Sequence, residues 1–384
     1  MTPPMSLMMP ATAARPTPQR IAILRALYLG DLLCATPAFR ALRERFPAAE
    51  LTLIGLPWAA EFVARSPHLD RFRTFPGYPG LEDEPPVPGE ADAFFAALRD
   101  NPYDLAIQLH GDGSASNGFI AALGARRSLG YRRDAIDQRL NESLPYRDAE
   151  HETRRWLRLV AALGARTDDL RPVFPVTAAE AASAAALLAG HPALGTRRHG
   201  PLVGLHVGAK DLVRRWPPER FAALGAHLWT RHGAALVLTG GAAERPLAEA
   251  VRHELQAPVL DLVGRTDLSQ FAATIAGLDL LVTNDTGASH LAAASGTPSV
   301  VLFGPTRPEQ WAPLDQRRHR ALDARAFVAG NPNDGAFALR QLPVASVLAA
   351  CEKLLRLRGA DPVDRVTERV LPGFARASRG ELEG

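Results

Sequence analysis

The segment VTNDTGASHLAAASGTPSVVLFGP, from Val282 to Pro305, gathers Asn284, Asp285, Thr286, Gly287, Ser289 and His290 where an apolar run meets an alanine-rich one. A plain turn needs only one or two residues of this kind. With DLLVT as a strand and LAAAS as a helix, the polar residues stand at the helix start. There the first backbone N–H groups are unpaired and carry the positive end of the dipole. That is a site for an anion such as a phosphate, and Gly287 would let one come close to the backbone. Thr286 and His290, four residues apart, share a helix face. A reading without a ligand fits the same residues: Asp285 or Thr286 as N-cap, and His290 as a hydrogen-bonded core histidine. A serine hydrolase built from Asp285, Ser289 and His290 fits poorly, because no G-x-S-x-G elbow is present and triads are assembled from distant segments. No P-loop and no clean G-x-G-x-x-G after a strand occurs, so triphosphatase and dehydrogenase chemistry lack support.

Three further loops carry matching chemistry. AKDLVRRWPPERF (Ala209 to Phe221) places Lys210, Arg214 and Arg215 after a strand, where their charges could neutralise a diphosphate or simply be solvated. GAAER (Gly241 to Arg245) offers Glu244, either as acceptor for ribose hydroxyls or as a first-turn glutamate facing a helix dipole. LYLGDLLCATPAF (Leu27 to Phe39) has Thr36-Pro37 as a helix start, threonine capping and proline first. Asp31 then falls in the preceding loop, facing a cleft. A carboxylate there has the character of a general base for a hydroxyl nucleophile, although a turn aspartate after glycine also fits.

These loops need strands behind them. IAILRAL (Ile21 to Leu27), ELTLIG (Glu50 to Gly55) and DLAIQLH (Asp104 to His110) read as buried parallel strands in the first half, with helices such as Pro37 to Phe46 and Ala91 to Arg99 between them. The second half repeats the rhythm with LVGLHVG, AALVLTG, VLDLVG, DLLVT and PSVVLFG, and a helix over Leu342 to Leu357 follows. Such alternation implies parallel sheets covered on both faces, with ligands at the carboxyl ends of the strands.

A chain of 384 residues suits two domains, and 47% hydrophobic with 22% charged residues is ordinary globular composition. The boundary is expected near Val176, between RPVFPVT and an alanine-rich run ending in Gly190, His191 and Pro192. This divides the chain into a tail over 1–19, a first domain over 20–176, a second over 177–360 and a tail over 361–384. Pro76 to Glu90 reads as a proline and glycine insertion on the rim of the cleft. No apolar run is long enough to span a bilayer, and the methionine-rich start lacks the continuous apolar stretch of a cleaved signal. Cys34 and Cys351 are too few for a disulfide framework or a metal cluster, which suits the cytoplasm. Lys210 and Lys353 are the only lysines among 44 basic residues, so arginine is the cation available for phosphates and carboxylates. With a net charge of +3 and no dense basic stripe, nucleic acid is not an expected partner.

Gly30-Asp31 with Thr36-Pro37 and FRALRERFP, the Arg-Trp-Pro loop, GGAAE, and above all NDTGASHLAAASGTPSVVLFGPT together resemble glycosyltransferase family nine, from about Ile21 to Leu314. The best-known members of that family are ADP-heptose:lipopolysaccharide heptosyltransferases. The resemblance implies an α/β GT-B architecture, two Rossmann-like doubly wound domains facing across a cleft, with the acceptor on the first and the donor on the second. It further implies inverting transfer with no metal and no cofactor beyond an ADP-linked nucleotide-sugar. The acceptor would be a glycolipid or oligosaccharide of the lipopolysaccharide-core type, met in the cytoplasm with peripheral contact to the inner membrane. By position, Asp31 would be the base and Arg25 would lie in the acceptor cleft. Asp285, Thr286, Gly287, Ala288 and His290 would line the donor diphosphate and sugar, and Glu244 would bind the ribose. Where many members carry a lysine for the departing diphosphate, this chain offers Arg214, Arg215 or Lys210. DLAIQLHGDGSASN and the PGYPG insertion depart from the heptosyltransferase pattern. A different nucleotide-sugar, an epimerase or hydrolase, and a non-catalytic binding protein are the rival readings.

Overall fold

The computed structural model describes residues 16–81, 89–190, 200–328 and 335–360. The two expected tails, apart from residues 16–19 and their first contacts, His191 and Pro192 of the junction, and the middle of the Pro76 to Glu90 insertion lie outside the described residues.

Two six-stranded sheets organise the molecule. The first contains β1 (Arg20–Leu24), β2 (Glu50–Gly55), β3 (Arg71–Thr74), β4 (Leu105–Gln108), β5 (Arg127–Arg132) and β6 (Glu142–Pro145), in the order β3-β2-β1-β4-β5-β6. The second contains β7 (Leu202–His206), β8 (Ala235–Thr239), β9 (Val259–Asp261), β10 (Leu280–Asn284), β11 (Ser299–Phe303) and β12 (His319–Asp323), in the order β12-β11-β10-β7-β8-β9. Every pairing is parallel, with Ile21 opposite both Leu51 and Leu105, and Val282 opposite both Val300 and Leu205. Strand order reverses between β1 and β4 and between β7 and β10, and such reversals open crevices at the carboxyl ends. All eight expected strands form. The polar β3, β5, β6 and β12 are additional.

Helices cover both faces. They are α1 (Leu29–Arg45), α2 (Ala59–Arg65), α3 (Glu90–Ala96), α4 (Ser116–Ala122), α5 (Glu152–Ala161) and α6 (Ala178–Gly190), then α7 (Pro218–His232), α8 (Arg245–Glu254), α9 (Leu268–Ala276), α10 (Gly287–Ser295), α11 (Pro308–Trp311) and α12 (Val344–Ala360). Central strands are apolar up to their carboxyl ends because both of their faces are buried; every residue of β10, Thr283 and Asn284 at its end included, is inaccessible or nearly so. α6 packs on α9, and α12 packs on α7, β10 and β11. Across the cleft α1 packs on α10, and one buried apolar cluster includes Leu32, Leu33 and Phe39 of α1 together with Ala288 and Leu291 of α10. The described part of the insertion is pinned by Tyr78, whose ring meets Phe119 of α4 edge-on at 5.6 Å between centroids. Among the described residues no helix is long and apolar enough to cross a membrane.

One expectation fails in an instructive way. Thr36 and Pro37 do not start α1; they lie inside it, and the helix begins at Leu29 with Tyr28 as its N-cap residue. Proline normally breaks a helix by leaving the carbonyl four residues back without a donor. Here the Thr36 hydroxyl donates to that carbonyl, Leu33 O, at 2.8 Å, and accepts from the Val173 N–H at 2.9 Å. Asp31 therefore stands in the first turn of a helix and not in a loop.

Candidate functional site

Residues after β1 form one wall. Arg25 is 1% exposed, and its guanidinium lies beneath the first turn of α1. Nε and Nη2 donate to the main-chain oxygen of Asp31 at 3.0 and 2.7 Å, and Nη1 donates to Leu109 O at 2.7 Å. The guanidinium carbon sits 4.6 Å from the centroid of the Trp156 ring. Burial pulls the Arg25 pKa down, while the Asp31 carboxylate, 3.5 Å away, pulls it up. Expected to face an acceptor, Arg25 is instead held under Asp31, which keeps its own side chain partly open to the cleft.

The facing wall is built on β10. Asn284 is buried: its Oδ1 accepts the Trp216 N–H at 2.9 Å, and its Nδ2 donates to Val207 O at 3.1 Å and Gly208 O at 3.0 Å. This one amide ties the loop after β7 to the start of α10. Thr286 caps α10, its hydroxyl accepting the Ala288 N–H at 3.3 Å, while Ser289 Oγ donates to Thr286 O at 2.8 Å. Asp285 is buried behind the cap. Its Oδ2 accepts from Arg214 Nη2 at 2.8 Å and from the Thr306 hydroxyl at 2.6 Å, and Arg214 also donates to the Asp285 main-chain oxygen. Expected on the diphosphate, Asp285 bears on the site through Arg214, which its carboxylate holds at the start of α10. A phosphate placed directly against that carboxylate would meet like charge.

The three candidate cations have distinct settings. Arg214 is fixed by Asp285. Arg215 folds its loop back, donating from Nε to Ala209 O at 2.8 Å. Lys210 crosses the cleft to the Tyr28 hydroxyl, with Nζ 4.3 Å from that ring's centroid. Glu244 closes the turn after β8, its Oε2 accepting the Gly241 N–H at 2.7 Å. The carboxylate lies across the ends of β7 and β8, where a Cβ on Gly208 would overlap it and one on Gly240 would come within 2.7 Å. Burial lowers the pKa of neighbouring His206, with Glu244 opposing the shift.

The walls touch where the two helix starts meet. A Cβ on Gly30 would lie 2.8 Å from Cδ2 of His290, and one on Gly287 would lie 3.1 Å from Leu29. Leu29 of the other domain thus packs against the bare α-carbon of Gly287. His290 is buried, with Nδ1 3.6 Å from the Cys34 sulfur, and burial lowers its pKa against the opposing pull of Asp285 and Asp31. A second bridge runs through His151, the N-cap of α5: Nδ1 accepts the Thr153 N–H at 3.2 Å and Nε2 donates to Ala312 O at 2.9 Å. Sequence reasoning missed Trp156, Thr306, Tyr28 and His151. Thr306 is the last residue of the motif shared with family nine, but nothing in a linear pattern marks the other three.

Two doubly wound domains, each presenting a switch-point loop to a shared cleft, with a carboxylate on one wall and a cation-flanked helix start on the other, define a GT-B glycosyltransferase. The model of glycosyltransferase family 9 (heptosyltransferase) matches residues 92–326, so the chain belongs to that family. Lipooligosaccharide heptosyltransferase 2 of Haemophilus ducreyi is 29% identical over 313 residues, which cover 78% of this chain and 87% of that protein. The structure of E. coli ADP-heptose lps heptosyltransferase II superposes with a TM-score of 0.70 at 22% identity, over 88% of this chain and 99% of that one. E. coli heptosyltransferase WaaC with ADP gives 0.63 at 21% identity, over 87% and 99%.

Proposed function

We propose that this enzyme moves a heptose from ADP-heptose to a lipopolysaccharide-core acceptor, with inversion and without a metal ion. The donor and acceptor classes are those named for its relatives. The observation that carries the chemistry is the placement of Asp31: in the first turn of α1, beside Gly30, which packs on His290 of the donor motif. A base is thereby set next to the start of α10.

In the reaction, an acceptor hydroxyl oxygen attacks the anomeric carbon as the bond from that carbon to the diphosphate oxygen breaks. The hydroxyl proton passes to Asp31, and ADP departs with the bonding pair. One displacement inverts the anomeric centre. Charge growing on ADP falls on the N–H groups opening α10, on Arg214 and on Lys210 once it swings from Tyr28. Glu244 takes the ribose hydroxyls, Ala288 and His290 line the sugar and diphosphate, and Arg215 shapes the loop. These cations do the work that a divalent ion does in other transferases. A cytoplasmic donor and a lipid-anchored acceptor place the enzyme at the cytoplasmic face of the inner membrane, in peripheral contact with it.

Incubation with ADP-heptose and heptose-deficient lipopolysaccharide, in EDTA, tests the reading. The expected product carries one added heptose of inverted anomeric configuration. Retention of configuration, dependence on added metal, or transfer only from a UDP or GDP sugar would each overturn the corresponding part. A donor sugar altered with no acceptor present would make it an epimerase.

A further inference from the structure

We propose that Arg25 is a positioning residue for Asp31, fixing the first turn of α1 so that the base faces the acceptor hydroxyl; this rests on Asp31 being the general base. The guanidinium is enclosed, and its bonds run to main-chain oxygens on two separate segments: Asp31 O through Nε and Nη2, and Leu109 O through Nη1. Those oxygens belong to the residues after β1 and β4, the two strands flanking the switch point. Arg25 is thus a cross-brace over the crevice floor. Trp156 of α5, stacked on the guanidinium carbon at 4.6 Å, holds the plane in which the donors fan out. The bonds to Asp31 fall on its backbone and set where the residue is, while its carboxylate meets Arg25 only at 3.5 Å. A planar five-donor fork can brace two segments at once; an ammonium group on a flexible stem cannot hold the same geometry. An acceptor contact would require the side chain to reach the cleft, and it is buried.

Displacing a catalytic group by about 1 Å lowers turnover by about 100-fold. We therefore expect Arg25→Met to lower kcat by that factor with acceptor and donor KM changed less than about threefold, and Arg25→Lys to recover part of the loss. The deciding measurement repeats Arg25→Met in an Asp31→Ala background under single-turnover conditions. If Arg25 acts through Asp31, the residual rate falls by less than about twofold, since the effects of residues acting as a unit do not add. A full repeat of the loss in that background overturns the proposal in favour of a general structural role. So does a raised acceptor KM with kcat retained, which marks an acceptor contact. Stabilisation by ADP in a thermal melt shows that each variant is folded; if Arg25→Met is not, Arg25→Lys, which keeps the charge, carries the same comparison. Should Asp31→Ala itself turn over normally, it is the assignment of the base that fails.

Discussion

The starts of α1 and α10 are near counterparts in the two domains. Each follows the strand at the edge of its switch point, each contains a glycine pressed against the other domain, and each carries an aspartate served by an arginine. What differs is which partner is buried. Arg25, 1% exposed, holds Asp31 chiefly by its main-chain oxygen and leaves the carboxylate side chain 23% exposed, whereas Arg214, 26% exposed, donates to both the main-chain oxygen and the carboxylate of Asp285, whose side chain is 4% exposed. The same residue pair yields opposite tools. In α1 a buried cation holds up a carboxylate that can take a proton; in α10 a buried carboxylate holds up a cation that can meet a phosphate.

That contrast is broken most severely at the carboxylates. Asp31→Asn keeps shape and removes the base, so kcat should fall by about 10²–10⁴ while ADP affinity, by calorimetry, stays within a few fold. Asp285→Asn should behave the other way, weakening ADP binding and costing about 1.5–3 kcal/mol of stability as the charged hydrogen bond to Arg214 is lost. Equal effects of the two changes on ADP affinity would erase the distinction.

The difference between the aspartates was only partly legible in the sequence. The motif around Asn284 to His290 announced a strand meeting a helix because an apolar run and an alanine-rich run abut there. The buried strands declared themselves in the same way, through continuous apolar residues. β3 (RFRT), β6 (ESLP) and β12 (HRALD) did not, because edge strands bury less and carry charge. The start of α1 was hidden for another reason. Thr-Pro is a local signal for a helix start, and it was overridden by a hydroxyl bond inside the helix and a contact to Val173, far along the chain. Which atom of an aspartate an arginine binds is likewise a tertiary fact. Spacing from Arg25 to Asp31 says the two are close; it does not say that Trp156 stacks beneath them.

A milder test concerns the glycines. Gly30→Ala drives a methyl into the buried His290 ring edge, 2.8 Å away, and should destabilise by about 1–3 kcal/mol as overpacking does. Gly287→Ala brings its methyl to 3.1–3.3 Å from Cδ2, Cβ and Cγ of Leu29, a closeness that a small shift of that side chain relieves, so it should cost less than Gly30→Ala. Denaturant titration of the two variants orders them. The reverse order would mean that the helix starts do not meet as described.

The smallest expected effect lies in the histidine between the two starts. His290 faces Asp285 and Asp31, Arg214 and the positive ends of α1 and α10, with the Cys34 sulfur and the Trp311 ring alongside. Burial holds its folded pKa below the value of an unfolded chain. As pH falls below about 6.5, the unfolded state takes up a proton that the folded state resists, so stability is full above that pH and is lost progressively below it. His68 and His151, both held down to about 4, and His110, held down to about 3, give the whole protein the same trend. Replacing His290 by Gln should therefore remove only a share of it: between pH 7 and pH 5 the variant's melting temperature should drop by less than the wild type's. An identical drop would show that His290 takes its proton in both states, and that the two carboxylates flanking it outweigh its burial and the two helix dipoles.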